Sequence, residues 1–290
     1  MSMEYRNFWP GFKVPNTLSL FFDDVCREVS GNQKVCVHSV FGTDQLLTKP
    51  DGVNICYSGE LARSARDQSD FDLNICMNEA YPNAIMYPLF AVGSYVCDYW
   101  RDYTVPRQMQ AKPHFCCFVV SNRHSSVRRD FFARLCKYKT VHSFGQCENN
   151  TGQLAPPIPQ VDGYDVRRTP NPYMSLLDNF KFMICFENAQ APYYLTEKLQ
   201  NAWLGGTVPI YWGASKALEW LNPKSFLYLE DASEECMNAL IKKIKYLDQN
   251  DEAYAAIFSE PLLIGDIPGD LDKDVLTAKV TQHFFKSQCQ

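Results

Sequence analysis

The chain has 290 residues, of which 46% are hydrophobic and 14% aromatic, and its formal net charge is −5. This length and composition predict a well-packed globular protein of about two ordinary domains and exclude a disordered chain. The basic residues are dispersed without a stripe, which argues against a nucleic-acid partner, and no apolar run is long enough to span a membrane.

Short apolar runs recur between polar loops in the first hundred residues. They cover residues 35–40, 53–57, 73–77 and 84–92. Together with a helix-compatible stretch at 18–29, these runs predict a mostly parallel sheet that is covered by helices. A strand at 115–120 opens a second series. We place the domain boundary in the polar stretch before it, so that residues 1–107 form one domain and residues 108–290 the other.

The second series predicts a helix over 127–138, a strand near Val141 and a long loop over 146–172. Further on, the pattern predicts strands at 182–186, 208–211 and 226–229. It also predicts helices at 197–204 and 234–246, with Thr196 and Ser233 as their N-caps, and more helix towards the C-terminus.

The sequence predicts that most of the cysteines are core residues. Cys-x-x-Cys pairs are absent from the sequence, and several of the 12 cysteines lie within short apolar runs: Cys36, Cys56, Cys76, Cys116, Cys117 and Cys185. This distribution favours reduced thiols that act as small hydrophobes, as in a cytoplasmic protein, over a disulfide framework.

The most informative stretch runs from Phe180 to Ala214, FKFMICFENAQAPYYLTEKLQNAWLGGTVPIYWGA. Lys198 falls in the first turn of the predicted helix, where the macrodipole disfavours a cation unless an anion is bound against it. Free backbone N–H groups at a helix N-terminus bind such anions, and phosphate is the natural candidate. The alternative is a generic strand–helix–strand unit with a solvated lysine.

The phrases FEN, YLTEK and GTVPIYWG, in this order, resemble the donor-binding signature of the α-1,3/4-fucosyltransferases, which use GDP-fucose. The resemblance implies an α/β fold with two Rossmann-like domains that face each other across a cleft, the arrangement called GT-B. It also implies an enzyme that transfers L-fucose with inversion to a hydroxyl of a glycan acceptor, at O3 of GlcNAc or glucose. A divalent metal is possible but not needed, and no other cofactor is required.

The expected partners are therefore GDP-fucose and an oligosaccharide or glycoconjugate acceptor. The N-terminal sequence MSMEYRNFWPGF lacks the basic-then-apolar pattern of a secretory signal. Accordingly, we expect a cytoplasmic protein, or a soluble catalytic domain from which a membrane anchor has been removed.

Glu60 is the candidate general base. It follows the predicted strand 53–57 in the phrase CYSGE, at the end of a strand where α/β folds place their sites. The resemblance implies that this carboxylate takes the proton of the acceptor hydroxyl. The alternative is a loop glutamate paired with Arg63, in which case another carboxylate of this domain, such as Glu79, would be the base.

The candidate donor-binding residues lie in the second domain. Arg128 precedes an amphipathic helical face in SNRHSSVRRDFFARL, and the resemblance implies that it contacts the diphosphate in preference to its neighbour Arg129. By the same resemblance Lys198 binds the diphosphate and Glu197 accepts hydrogen bonds from sugar hydroxyls. The remaining two, which would complete the pocket by hydrogen bonding and packing, are Asn188 and Tyr194.

Two other functions stay open at this point. A metal-dependent glycosyltransferase would hold Mn²⁺ on the diphosphate with a D-x-D pair, and Asp70-Phe71-Asp72 and Asp270-Leu271-Asp272 fit that pattern. A non-catalytic module that binds sugar nucleotides or glycans would have no use for Glu60.

Overall fold

The chain divides into two units. The structure, a computed structural model, describes residues 3–29, 33–42, 50–61, 71–158, 160–161, 164–165 and 172–286. Unit 1 comprises Met1–Tyr99, Gln160–Asp165 and Ile267–Gln290, and unit 2 comprises Trp100–Pro159 and Val166–Asp266.

Unit 1 is built on a parallel sheet whose five described strands lie in sequential order. Their bounds are β1 Met3–Arg6, β2 Val35–Ser39, β3 Val53–Tyr57, β4 Leu73–Cys76 and β5 Ala84–Met86. Strands β2, β3 and β4 are buried along their whole length. Such continuous burial explains why they read as unbroken apolar runs rather than as an alternating pattern.

The α-helices of unit 1 that the structure describes are α1 Thr17–Val25, α2 Leu89–Val96 and α10 Lys273–Lys286. The predicted strand at 84–92 is wrong beyond Met86. Strand β5 ends at this residue, and α2 begins at Leu89 with Pro88 at its N-cap position. A proline has no N–H to donate to a neighbouring strand, and its fixed φ suits the start of a helix.

Unit 1 is completed by the C-terminal segment, which the predicted division at 107/108 had assigned to the second domain. Helix α10 packs on α1 and β5, and its Leu276 and Val280 are fully buried. The hydroxyl of Tyr87 donates a 3.0 Å hydrogen bond to the backbone oxygen of Leu271 just before this helix. Helix α10 therefore belongs to unit 1 because it buries apolar surface against α1.

Unit 2 begins at Trp100 rather than at residue 108, and Arg107 shows why. Its guanidinium donates to the backbone oxygens of Trp203 at 2.8 Å, Thr207 at 2.7 Å and Phe258 at 3.1 Å. It also lies over the rings of Trp203 and Phe258, 4.6 and 4.3 Å from their centroids. The segment before the predicted boundary is thus anchored inside unit 2.

The sheet of unit 2 is also parallel, and its described strands lie in the order β12-β11-β10-β6-β7. Their bounds are β6 His114–Phe118, β7 Val141–Ser143, β10 Phe180–Ile184, β11 Val208–Tyr211 and β12 Leu227–Tyr228. In chain order this arrangement is 2-1-3-4-5, the order of a doubly wound sheet. The predicted α/β fold with two parallel sheets is confirmed.

The helices of unit 2 that the structure describes include α3 Trp100–Tyr103, α4 Ser126–Cys136, α5 Pro172–Leu177, α6 Glu197–Leu204, α7 Ala217–Trp220, α8 Glu234–Gln249 and α9 Asp251–Ser259. Helices α4, α6 and α8 confirm the sequence pattern, and Ser233 caps α8 by accepting from the N–H of Cys236. Among the described residues of the whole chain, no helix has the length and apolar character that a membrane crossing needs.

The predicted long loop over 146–172 is described at 146–158, 160–161, 164–165 and at Pro172. Within it, β8 Gln160–Val161 and β9 Tyr164–Asp165 form a short antiparallel pair. The six cysteines named above are buried, as expected of core thiols.

Candidate functional site

The strand order of unit 2 selects one place for a ligand. Strands β6 and β10 are neighbours, and the chain proceeds from β6 to β7 on one side and from β10 to β11 on the other. In open parallel sheets, ligands bind outside the carboxyl ends of the strands at such a reversal. Helix α4 follows β6, and the segment 185–196 follows β10, so the candidate residues of both meet here.

Arg128, in the first turn of α4, is buried at this reversal, with 1% of its surface exposed. Its Nε and Nη2 donate to the backbone oxygen of Phe186 at 3.0 and 2.6 Å, and its Nη1 donates to Oδ1 of Asn188 at 2.6 Å. The neighbouring Arg129 is exposed and pairs with Glu148 at 2.7 Å. The two adjacent arginines therefore have opposite environments, because only one of them points from the helix into the sheet.

Asn188 links Arg128 to Tyr194. Its Nδ2 donates to the Tyr194 hydroxyl at 3.1 Å, while its Oδ1 accepts from the guanidinium. Tyr194 is fully buried and Asn188 is half-buried. The structure thus brings three of the predicted donor-binding residues together, with the arginine and the tyrosine fixing the amide between them.

Lys198 lies in the first turn of α6 beside a carboxylate to which the sequence analysis assigned no role. Its Nζ is 2.9 Å from Oε2 of Glu187 and donates to Oγ1 of Thr196 at 2.8 Å. Glu197, which was also predicted to bind the donor, lies further from Lys198, with its Oε1 3.6 Å from the same ammonium. The lysine is therefore held by an ion pair rather than solvated.

Thr196 occupies the N-cap position of α6, as predicted, but its side chain does not cap the first turn. Its hydroxyl donates to the carboxylate of Glu187, whose oxygens lie 2.9 and 2.8 Å away, and its backbone N–H donates to Oε1 at 2.8 Å. The carboxylate from the preceding loop thus binds the N-cap residue itself, and the structure shows no side-chain cap on the first turn of α6.

Glu187 is fully buried, and several groups fix it in place. Its backbone N–H donates to Trp212 O at 2.8 Å, which extends the pairing of β10 with β11 by hydrogen bonding. The Tyr211 hydroxyl lies 3.5 Å from Oε1. A Cβ on Gly213 would come within 2.5 Å of both Glu187 Cγ and the Tyr211 hydroxyl oxygen, so only glycine fits against this carboxylate.

Burial raises the pKa of the Glu187 carboxyl, and the nearby ammonium of Lys198 opposes that rise. Burial acts to lower the pKa of Lys198, but the charges of Glu187 and Glu197 outweigh it and leave this pKa above its ordinary value. The N–H and hydroxyl of Thr196 and the ammonium of Lys198 all converge on the Glu187 carboxylate, and each of them favours its charged form.

The chemistry that this arrangement supports is the binding of an anion. Two cations, Arg128 and Lys198, and the N-terminus of α6 lie at the reversal, and the carboxylates of Glu187 and Glu197 balance the two cations in the free protein. An incoming diphosphate would meet the partly exposed ammonium of Lys198, whose position is already fixed, while the buried guanidinium of Arg128 adds its positive charge close by.

Glu60 belongs to unit 1 and follows the carboxyl end of β3, as predicted. It is half-buried in a tight turn, in which the Ser58 hydroxyl donates to the backbone oxygen of Glu60 at 2.8 Å. Arg63, its suggested alternative partner, lies outside the described residues. Glu79, the other carboxylate considered, is exposed.

The two D-x-D triplets belong to unit 1, and neither belongs to the unit that carries the cations. Asp70 lies outside the described residues, whereas Asp72 accepts from the N–H of Asn54 at 2.7 Å. Asp272 accepts from the first turn of α10, and Asp270 pairs with Lys279 at 3.5 Å. Within the described part of the chain, no group of three or more His, Cys, Asp or Glu side chains is placed to hold a metal.

Comparison with known proteins gives the family. The model of the family described as glycosyltransferase family 10 (fucosyltransferase), C-terminal part, matches residues 109–259, just over half of the chain. This chain therefore belongs to the family 10 fucosyltransferases. The matched segment includes β6, α4, β10, α6 and β11, and hence every candidate residue of unit 2.

Two curated relatives are similar over part of the chain. The α-(1,3)-fucosyltransferase FucT of Helicobacter pylori is 30% identical over 188 residues, which are 64% of this chain and 32% of that protein. The GDP-fucose protein O-fucosyltransferase 3 of Gallus gallus is 34% identical over 155 residues, 52% of this chain and 30% of that protein. The chain thus spans about a third of the length of the curated relatives it matches.

A solved structure shares the fold. The crystal structure of an α1,3-fucosyltransferase with GDP-fucose superimposes with a TM-score of 0.66 and 20% identity, and the match covers 98% of this chain and 90% of that one. The predicted GT-B fold, with two Rossmann-like domains, is confirmed by this likeness.

Proposed function

We propose that this protein transfers L-fucose from GDP-fucose, with inversion, to a hydroxyl of a glycan acceptor, at O3 of GlcNAc or glucose. The observation that carries the proposal is the arrangement in unit 2, where Arg128 and Lys198 lie with the N-terminus of α6 at the strand reversal. Membership of the fucosyltransferase family supports the identity of the donor.

In the proposed reaction, the departing diphosphate gains negative charge as its bond to the anomeric carbon of fucose breaks. Arg128 and Lys198 stabilise that charge, and preorganised cations in a partly buried site do so without the cost of reorienting solvent. Asn188, held between Arg128 and Tyr194, contributes a hydrogen bond to the donor, and Glu197 accepts from a sugar hydroxyl.

Glu60 is the proposed general base. The acceptor oxygen attacks the anomeric carbon, its proton passes to the Glu60 carboxylate, and GDP leaves with the electron pair of the broken bond. One displacement of this kind inverts the configuration at the anomeric carbon. Glu60 follows the carboxyl end of β3, where α/β sheets present functional side chains, and this position supports its role as the base.

The acceptor has a second candidate. One relative is named for transfer to proteins, and its 34% identity exceeds the 30% of the relative named for α-(1,3) transfer. A serine or threonine hydroxyl of a polypeptide is therefore the alternative to a sugar hydroxyl. Both acceptors present an alcohol to the same base, so the chemistry of the transfer is unchanged.

Incubation with GDP-fucose and a panel of acceptors, followed by mass spectrometry and linkage analysis, tests the proposal. The panel contains β-linked GlcNAc and glucose oligosaccharides and unstructured Ser/Thr peptides. We expect a mass gain of one deoxyhexose on the glycans with release of GDP. If only the peptides are fucosylated, the second acceptor is favoured. If no acceptor is fucosylated and UDP-galactose raises the melting temperature of the protein as much as GDP-fucose does, fucosyl transfer is refuted.

Glu60→Gln, with Glu79→Gln as its matched control, tests the base. The glutamine keeps the shape of the side chain but cannot take a proton, so turnover should fall by roughly 10²- to 10⁴-fold while GDP-fucose affinity is retained. Glu79→Gln should behave like the parent. Turnover of Glu60→Gln within about threefold of the parent would exclude this base.

The proposed chemistry requires no metal, since the two cations and the helix N-terminus supply the positive charge. Activity should therefore survive EDTA. A complete loss that Mn²⁺ reverses would favour a metal-dependent glycosyltransferase instead.

A further inference from the structure

Resting on the proposed function, we propose that Glu187 is a positioning residue that fixes the Lys198 ammonium at the N-terminus of α6, facing the donor diphosphate. Glu187 is a fully buried carboxylate 2.9 Å from Lys198 Nζ, and it does not itself lie on the surface of the protein. Its effect on the reaction would therefore act through the lysine.

The geometry limits the ammonium to one orientation. One of its protons points to Glu187 and another to the Thr196 hydroxyl, which itself donates to the same carboxylate. The third proton is left for the side of Glu197, where the side chains of Lys198 and Glu197 are 22% and 34% exposed. An anion arriving from the exposed side would meet that proton.

The carboxylate is itself immobilised, as a positioning group requires. The backbone of Glu187 is hydrogen-bonded to Trp212, Thr196 donates two hydrogen bonds to its side chain, and Gly213 packs directly against its Cγ. The lysine is thus connected to the β10–β11 pair of the sheet. A cation held this way loses little conformational freedom when it meets a diphosphate.

The same ion pair sets the pH range in which Lys198 stays charged. The ionisable groups that surround this pair of Glu187 and Lys198 are Glu197, Arg128, Cys185 and Tyr211. Burial raises the pKa of Cys185 and of Tyr211 well above the ordinary values, so both remain neutral. Without the charge of Glu187, an interaction that raises the pKa of Lys198 would be lost, and this pKa would fall.

Glu187→Gln tests the inference, because it keeps the size of the side chain and removes its charge. We expect kcat/KM for GDP-fucose to fall about 10- to 100-fold, since a displacement of about 1 Å in a reacting group costs on the order of 10²-fold. The alkaline limb of the pH profile should also move to lower pH. Glu187→Asp, which retains the charge at a shorter reach, should keep the limb near that of the parent.

Asp248→Asn is the matched control. Asp248 is also a buried carboxylate of unit 2, with 4% of its side chain exposed, and its Oδ1 lies 3.6 Å from the ammonium of Lys181. Lys181 lies near the beginning of β10, whereas Glu187 follows its end. Loss of stability alone should therefore affect both variants, and only Glu187→Gln should move the alkaline limb.

The outcomes separate the two proposals. Suppose that the parent binds GDP, but that Glu187→Gln keeps kcat/KM within twofold of the parent and the alkaline limb of its pH profile does not move. This result would overturn the positioning role of Glu187 and leave the proposed function standing. No binding of GDP by the parent would overturn the proposed function, and the inference with it. If Glu187→Gln does not fold, Thr196→Val tests the same network, and we expect the alkaline limb to be kept with kcat/KM lowered about threefold or more.

Discussion

Replacing Arg128 should damage this protein more than replacing Arg129, although the two residues are adjacent. Arg128→Ala removes a guanidinium that is 1% exposed and donates to the backbone oxygen of Phe186 and the side chain of Asn188. Arg129→Ala removes only an exposed side chain paired with Glu148. The comparison isolates burial and hydrogen bonding, since both variants lose one positive charge.

The magnitude follows from the acceptors that lose their donors. Two of the hydrogen bonds of Arg128 share the Phe186 oxygen, so two acceptors lose their charged donor. Hydrogen bonds from a charged group contribute roughly 1.5–3 kcal/mol each, which gives a loss of about 3–6 kcal/mol in the free energy of unfolding. At about 2–4 °C per kcal/mol, the melting temperature should fall by roughly 6–24 °C.

Thermal denaturation followed by circular dichroism, with and without GDP, measures both effects. Arg129→Ala should melt close to the parent, because exposed ion pairs contribute little. In the parent, GDP at one hundred times its dissociation constant should add about 2.7 kcal/mol, and Arg128→Ala should lose most of that stabilisation. A larger loss for Arg129→Ala, or a melting temperature of Arg128→Ala within about 2 °C of the parent, would refute the assignment.

Three further substitutions test the fold around the site. Arg107→Ala should lower the free energy of unfolding by about 3 kcal/mol or more in urea denaturation, because three buried carbonyl oxygens lose a charged donor and each loss costs on the order of 1–3 kcal/mol; a loss below about 1 kcal/mol would contradict this. Gly213→Ala should reduce fucosyl transfer without touching a charged group, since the new Cβ would displace Glu187; a fully active variant would show that the carboxylate has room to move. Leu276→Ala should lower the free energy of unfolding by about 2–5 kcal/mol and increase the hydrogen exchange of backbone amides in α1 and β5. A loss of protection confined to unit 2 would disprove the assignment of α10 to unit 1.

The local elements could be predicted wherever burial and turn residues left a strong pattern. Strands β3 and β11 and helix α6 begin and end at the predicted residues. Buried parallel strands produce continuous apolar runs, and a glycine pair stops a helix, so both signals are contained in a few neighbouring residues. Strand β1 was missed because it is only half-buried and its sequence, MEYR, has no apolar run.

The motif between Phe180 and Ala214 was enough to predict the family, since its ordered polar residues cover a single continuous segment. It was not enough to predict the partners of those residues. Glu187 was visible as a carboxylate directly after a buried strand, but its pairing with Lys198 depends on how the loop folds back on α6. The contact of Arg128 with Phe186 joins residues that are 58 positions apart.

The sequence by itself determined the α/β class, the helix that follows Thr196 and the family, because these rest on local periodicity and on one continuous motif. Only the tertiary structure decided which arginine is buried, which carboxylate holds the lysine, and which unit receives the end of the chain. Each of these depends on contacts between residues far apart in the chain. Such contacts follow from the order of the strands in the sheets, and no local pattern encodes that order.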